Sequence, residues 1–251
     1  MQRHRTLTTD YDRQFYARQV EGARRSAQIV VPLLLDLVAV GSVCDVGCGV
    51  GAWLRAFSDR GVSDVLGLDG DHVETDLLEI PASCFRAHDL TQPIRLERRF
   101  DLAVSLEVAE HLPASCAEDF VASLTAIGSM VLFSAAVPGQ GGRGHVNERW
   151  QSYWARLFEA RGFRAVDHLR WMVWSHDDVK FWYRQNMMLY VHADAVDASD
   201  RLRDLARQTS LARLDVVHPM LHLHRLRHLL GLTHAARRGR VARSTSGSAG
   251  A

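Results

Sequence analysis

The sequence predicts an α/β fold: a doubly wound sheet of seven strands with helices on both faces, parallel except for an antiparallel pair at its end. Three observations carry that expectation. From about residue 41, short runs rich in valine, leucine and phenylalanine alternate with helical patterns, the signature of a parallel sheet with crossover helices. The first run, SVCDVG at 42–47, passes into GCGVGAWLRAF, a glycine turn that opens an amphipathic segment. Polar side chains then stand where successive runs end, at Asp45, Asp69, Asp89 and Glu107, and ligands of such sheets bind beyond the carboxyl ends of the strands.

Each element follows in order. The first 40 residues read as helices preceding the sheet, with Tyr11, Phe15 and Tyr16 on one face, and residues 1–40 are expected to form a helical lid. The sheet-bearing domain spans 41–195. Its strands are SVCDVG, DVLGLD, CFRAHD, FDLAVSLE and SMVLFSA. Ser115 and Glu118 have capping-box spacing before the helix CAEDFVASLTAI, which Gly128 ends. The stretch AAVPGQGGRGHVNERW is a long glycine-rich loop leading to a helix expected to be capped by Asn147, with Trp150, Trp154, Leu157 and Phe158 as its apolar face and Gly162 as its stop. FRAVDHLR and NMMLYVHA are the closing antiparallel strands, separated by a segment with Ser175 and Asp178 in capping-box spacing and the aromatic run at 181–183. A helical extension is expected over 196–234 and a disordered tail of small, polar and arginine residues over 235–251.

Composition narrows the partners. A chain of 251 residues, 47% hydrophobic and 24% charged, can bury one large core, and a formal net charge of +1 supplies no field favouring nucleic acid. The longest apolar run, IVVPLLLDLVAV, is too short to span a bilayer and contains Pro32 and Asp36, and MQRHRTLTTD lacks the apolar centre of a signal peptide. A soluble cytoplasmic protein is therefore expected, without membrane attachment. Cysteines at 44, 48, 84 and 116 form no CxxC pair and read as reduced thiols. His218 with His222 and His224 with His228 are each one helical turn apart, but an offset of six residues turns the second pair away from the first, so they read as a solvated face and not as metal ligands.

Gly47, Gly49 and Gly51 permit positive φ and let a ligand lie against the main chain. Asp69 lies 24 residues beyond Asp45, close to the spacing at which an acid accepts from a ribose diol, which points to a nucleoside-containing cofactor. The glycines by themselves leave nicotinamide and flavin cofactors open, because Gly47-x-Gly49-x-x-Ala52 satisfies a relaxed dinucleotide fingerprint. Taken together, VCDVGCGVG, LGLDG, AHDL and FDLAVSLEVAEHL resemble the motifs of the class I S-adenosylmethionine-dependent methyltransferases across residues 43–136. The later SAAVPGQGGRGHVNERWQSYWARLFEARGF resembles a bacterial small-molecule branch of that family. The resemblance implies a Rossmann-like methyltransferase sheet with S-adenosyl-L-methionine as cofactor. It further implies that Gly47, Gly49 and Gly51 admit the amino-acid portion, Asp69 holds the ribose hydroxyls, and Asp89 with Leu90 contacts the adenine. Asp45 then organises the turn or meets the amine, and Leu106 and Glu107 lie beside the methionine end.

Methyl transfer from a sulfonium needs alignment and exclusion of water, and a hydroxyl acceptor also needs a base. His145, in the glycine-rich loop, is the leading candidate, and His111 is the second, with an orienting role beside Glu107 and Glu110 as its alternative. Glu148 is a further base or complements a helix dipole. No Asp-Asn pair of the divalent-dependent catechol type is evident, and no metal is expected. The expected acceptor is a hydroxyl on a small molecule, a sugar or natural-product intermediate. N-methylation of an amino sugar or other amine, and a noncatalytic cofactor-binding protein, are the alternatives, and a homodimer is compatible with either.

Overall fold

The computed structural model describes the backbone of residues 10–226 and the side chains of residues 20–226. In chain order the elements are α1 (Asp10–Leu37), β1 (Ser42–Val46), α2 (Ala52–Ser58), β2 (Asp64–Asp69), β3 (Phe85–Ala87), β4 (Phe100–Leu106), α3 (Ala117–Ile127), β5 (Gly128–Ser134), α4 (Gln151–Glu159), β6 (Phe163–Val166), α5 (Leu169–Val173), α6 (Phe181–Asn186), β7 (Met188–His192), α7 (Ala193–Asp197) and α8 (Asp200–Gln208). The seven strands form one sheet in the order β3-β2-β1-β4-β5-β7-β6. The first five are parallel, and β7 runs antiparallel to both β5 and β6. This is the doubly wound sheet the sequence predicts, with the expected antiparallel closure.

Strand side chains alternate between two cores, as the two-residue pleat requires. On β5, Met130 and Leu132 enter one core and Val131 and Phe133 the other, and on β7 Leu189 and Val191 oppose Met188 and Tyr190. The first core is covered by α1, α2 and the helices around β7; the second is covered by α3 and α4. Gly128 does end α3, but in extended geometry (φ −141°) as the first residue of β5. A Cβ there would stand 3.0 Å from the amide nitrogen of Ala103, so the close approach of β4 favours glycine.

Several boundaries differ from the expectation. The second half of α1 is a wall of the core, with Ala27, Val30, Val31 and Leu34 fully buried. It is tied down by the bidentate pair of Arg24 with Glu79 and by the Lys180 amide, which donates to Ser26 Oγ. Tyr11, Phe15 and Tyr16 lie outside the described side chains. α7 and α8 belong to the main unit, which reaches Val216. A separate unit begins at Val217, and within it the Met220 amide donates to Nδ1 of His218. His222 and His224 are exposed, while His228 and the tail at 235–251 lie outside the described residues. Neither capping box forms, since α3 begins at Ala117 after a 3-10 turn holding Ser115, and α6 begins at Phe181, beyond Asp178. Of the tryptophans expected to be buried on α4, Trp154 is in the core and Trp150 is exposed. Among the described residues no helix is long and apolar enough to cross a membrane.

Candidate active site

The polar groups anticipated from the sequence converge on the carboxyl edge of β1, β2 and β4. All three glycines of the turn have positive φ, 84° at Gly47, 54° at Gly49 and 85° at Gly51. The need for glycine is steric as well at Gly47, where a Cβ would lie 2.3 Å from a Val108 methyl carbon. At Gly49 a Cβ would meet nothing within 4 Å, so the space above it is open. Asp69, at the end of β2, accepts from the amide of Gly49 at 2.7 Å and from its neighbour Gly70 at 2.6 Å, joining the second strand to the turn. Asp45 is buried beneath, and its carboxyl has no hydrogen-bond partner among the described residues. Burial first, and the Asp69 charge second, push its pKa well above the ordinary carboxylate range.

Asp89 lies just past β3, whose Ala87 pairs with Asp69. It is exposed, and its Oδ1 accepts from the amide and hydroxyl of Thr91, a local turn that leaves Oδ2 free. Leu90 beside it is half-buried.

At the end of β4, Leu106 is buried and Glu107 has φ 57°, the left-handed region that a residue with a side chain rarely occupies. Its amide donates to both the carbonyl and the hydroxyl of Ser134, which holds the twist in place. The twist delivers the carboxylate into a polar network that the sequence does not announce. Gln140 donates to Oε2 at 2.8 Å and Asn186 to Oε1 at 3.0 Å. Gln185 donates in turn to Asn186 and Gln140, so residues from β4, the loop after β5 and α6 are locked together.

The glycine-rich loop brings the two histidines into contact. Their rings meet edge to face with centroids 4.8 Å apart. Nδ1 of His145 lies 2.9 Å from Oε1 of Glu148, whose carboxylate also receives the amides of Gly139 and Gly141. Burial pushes the Glu148 carboxyl up, but the His145 bond and the two amides outweigh it and hold its pKa below the usual range. Glu148 therefore organises the loop, and the expected helix-dipole role is not realised because α4 starts only at Gln151. Asn147 does not cap that helix either; it donates to the Ala109 carbonyl and accepts from Arg149. Burial, reinforced by His145, lowers the pKa of His111, which keeps its imidazole neutral. Glu110, between the two ends of this arrangement, is fully buried and neither of its carboxylate oxygens has a hydrogen-bond partner.

Comparison with known proteins decides what this edge belongs to. A family model described as a methyltransferase domain matches residues 16–173, more than half of the chain. The chain belongs to the class I S-adenosylmethionine-dependent methyltransferases. No curated protein matches the sequence. Among solved structures, that of DesVI from Streptomyces venezuelae is 17% identical, with 74% of this chain and 100% of that chain covered and a TM-score of 0.53. Magnesium protoporphyrin IX methyltransferase from Synechocystis PCC 6803, with bound S-adenosylhomocysteine, is 17% identical over 74% of this chain and 88% of that one, with a TM-score of 0.50. At these identities the likeness is one of fold. S-adenosylmethionine is the cofactor of the family. The methyltransferase edge described above fits that molecule on its own terms: a side-chain-free turn with open space over Gly49, and a buried acid without a partner.

The structure thus gathers Asp45, the three glycines, Asp69, Leu106, Glu107, His111 and His145 at one edge, with Asp89 and Leu90 at its margin. Sequence reasoning did not find Gln140, Gln185 and Asn186, whose amides carry no motif, and it treated Glu110 only as a neighbour of His111. The one available signal was the Glu107 to Glu110 spacing, which matches nearly one helical turn.

Proposed function

We propose that the protein transfers the methyl group of S-adenosylmethionine to a hydroxyl of a small molecule, a sugar or natural-product intermediate, in the cytoplasm, where its four thiols stay free. Gly47, Gly49 and Gly51 leave room for the amino-acid arm of the cofactor. The unpartnered carboxyl of Asp45 faces its ammonium group. Asp69 keeps a second lone pair on each oxygen for the ribose hydroxyls, and Oδ2 of Asp89 with the backbone of Leu90 meets the adenine. Leu106 and Glu107 border the methionine end. The cofactor supplies an electrophilic methyl group on a sulfonium.

The hydroxyl reading rests on one observation, the pairing of His145 with Glu148. A carboxylate held ionised can only accept, so it places the proton on Nδ1 and leaves the lone pair of His145 on Nε2. An imidazole so oriented, beside that of His111 at the same strand edge, can take the proton of a hydroxyl as its oxygen attacks. An amine would need no such group. Small size of the acceptor is supported by the near-neutral chain and the buried amide network, which suits a compact polar molecule better than a polyanion.

The experiment is a methyl-transfer assay with isotopically labelled cofactor across sugar, phenol and amine acceptors, run on wild type and His145→Ala. The variant should keep its affinity for S-adenosylhomocysteine by calorimetry and lose roughly a hundredfold in turnover on the hydroxyl acceptor. Equal turnover of the two proteins, or transfer to amines alone, would overturn the reading.

A further inference from the structure

We propose that Glu110, His111 and His145 bind a divalent transition-metal ion, and that this ion receives the acceptor oxygen. Glu110 is the starting point. A carboxylate with no exposure and no hydrogen bond is costly, and either a proton or a positive partner must relieve it. The amides of Glu110 itself and of Ala136 and the carboxylate of Glu107 all lie close to it without forming a hydrogen bond of normal geometry. No lysine or arginine is paired with it among the described residues. The nearest charge is of the same sign, that of Glu107, whose two oxygens are already taken by Gln140 and Asn186. What does face Glu110 is a pair of imidazoles: one oxygen of Glu110 and one nitrogen from each of His111 and His145 lie within 4.8 Å of one another. Donors on a common ion at about 2.1 Å stand about 3–4 Å apart, so side-chain adjustments of about 1 Å would close the set.

The surroundings are built as a metal site is. Glu148 holds His145 through Nδ1, the carboxylate support that fixes the orientation of a ligating histidine. Gly142 has no side chain where a Cβ would fall 2.2 Å from His145 Nε2, which lets the ring lie flat on the loop. His111 is exposed and His145 retains some access, so an ion here would keep positions open toward the acceptor side. Two nitrogens and one carboxylate oxygen suit zinc, iron, cobalt or manganese better than calcium or magnesium, which prefer oxygen alone. This departs from the expectation of a metal-free site, which rested on the absence of an Asp-Asn pair and on the spacing of the histidines at 218–228.

The role of the ion rests on the hydroxyl reading above. A hydroxyl bound to a divalent cation gives up its proton to solvent far more readily than a free one. The oxygen lone pair then forms the new C–O bond while the S–C bond breaks and its electron pair returns to sulfur, yielding S-adenosylhomocysteine. In the loaded site His145 is a ligand and coordination replaces its part as base.

The test uses the full chain, stripped with chelator and titrated with cobalt(II) and zinc(II). Wild type should bind one ion per chain with visible cobalt absorption bands. Glu110→Gln, His111→Ala and His145→Ala should each weaken binding at least tenfold, while His176→Ala, at an exposed histidine outside the cluster, should not change it. Calorimetry with S-adenosylhomocysteine shows that each variant is folded and reports the cofactor site separately. Absence of cobalt bands in wild type, or binding unchanged in Glu110→Gln, would overturn the metal site even if methyl transfer to a hydroxyl is found. Tight binding with full turnover after chelation would overturn the role given to the ion.

Discussion

Gly47→Ala is a perturbation whose cost can be worked out atom by atom. At φ 84° any residue with a Cβ bears about 1–2 kcal/mol relative to glycine. The new methyl would also stand 2.3 Å from Cγ2, 3.0 Å from Cγ1 and 3.2 Å from Cβ of Val108. Rotating Val108 about χ1 only exchanges one methyl for the other or for hydrogen while Cβ stays in place, and in a packed core such overfilling costs about 1–3 kcal/mol. The single variant should therefore lose about 2–5 kcal/mol of the 5–15 kcal/mol typical of a domain. Val108→Ala removes both offending methyls at a cost of its own of about 1–3 kcal/mol. The double variant should recover the steric part but not the backbone part, giving a favourable coupling of about 1–3 kcal/mol in urea unfolding. Calorimetry should show weakened S-adenosylhomocysteine binding in Gly47→Ala that the second substitution partly restores. Additivity within about 0.5 kcal/mol would refute the reasoning, because it would mean that the turn and Val108 do not compete for the same space.

Three further outcomes are expected. Asp69→Ala removes the acceptor for two backbone amides as well as the ribose partner, and should cost at least about a hundredfold in S-adenosylhomocysteine affinity; the exposed, locally turned Asp89→Ala should cost about tenfold or less, both by calorimetry. Asp45→Asn should raise the stability of the free protein at neutral pH. Its folded pKa is raised, so wild type bears no penalty below about 3.9 and loses up to about 1.4 kcal/mol per pH unit as pH rises toward the raised value, a slope that melts from pH 5 to 8 should show to be absent in the variant. Burial pushes Cys44 up to about 12 and Cys48 up as well, so maleimide at pH 8 should label Cys84 and Cys116 in the native protein and reach Cys44 and Cys48 only after unfolding, as read by mass spectrometry.

The sheet was legible because its signals are local. Each strand is a short apolar run of its own, and the pleat sends Val131 and Phe133 one way and Met130 and Leu132 the other whatever lies elsewhere in the chain. Helix starts were read less well for the same reason turned around. Ser115 and Asn147 have the chemistry of caps, but Asn147 is drawn off by the Ala109 carbonyl and Arg149, partners that become neighbours only after folding. The N-terminal helix shows tertiary context winning as well. Its apolar run 29–38 reads as one face of a lid or of a core wall equally, and what decides is that Arg24 finds Glu79 and Ser26 finds the Lys180 amide.

The site divides along the same line. Asp45, the glycines and Asp69 sit next to strand ends, so knowing the strands was enough to place them. The acceptor side is assembled from Glu107 and Glu110 after β4, Gln140 and His145 in the loop after β5, and Asn186 at the end of α6, which no spacing rule connects. The left-handed backbone of Glu107 is where the two halves meet. A residue held at φ 57° by two bonds to Ser134 costs about 1 kcal/mol or more, and Glu107→Gly would relieve that strain while deleting the carboxylate. If the strain serves the network, Glu107→Gly should be close to neutral in stability yet leave the Gln140 amide unpaired and Asn186 with only its bond to Gln140, with turnover lost. Glu107→Gln keeps the twist and one acceptor, and should retain more turnover than the glycine variant; the opposite ranking would show that the backbone, and not the carboxylate, shapes the acceptor side.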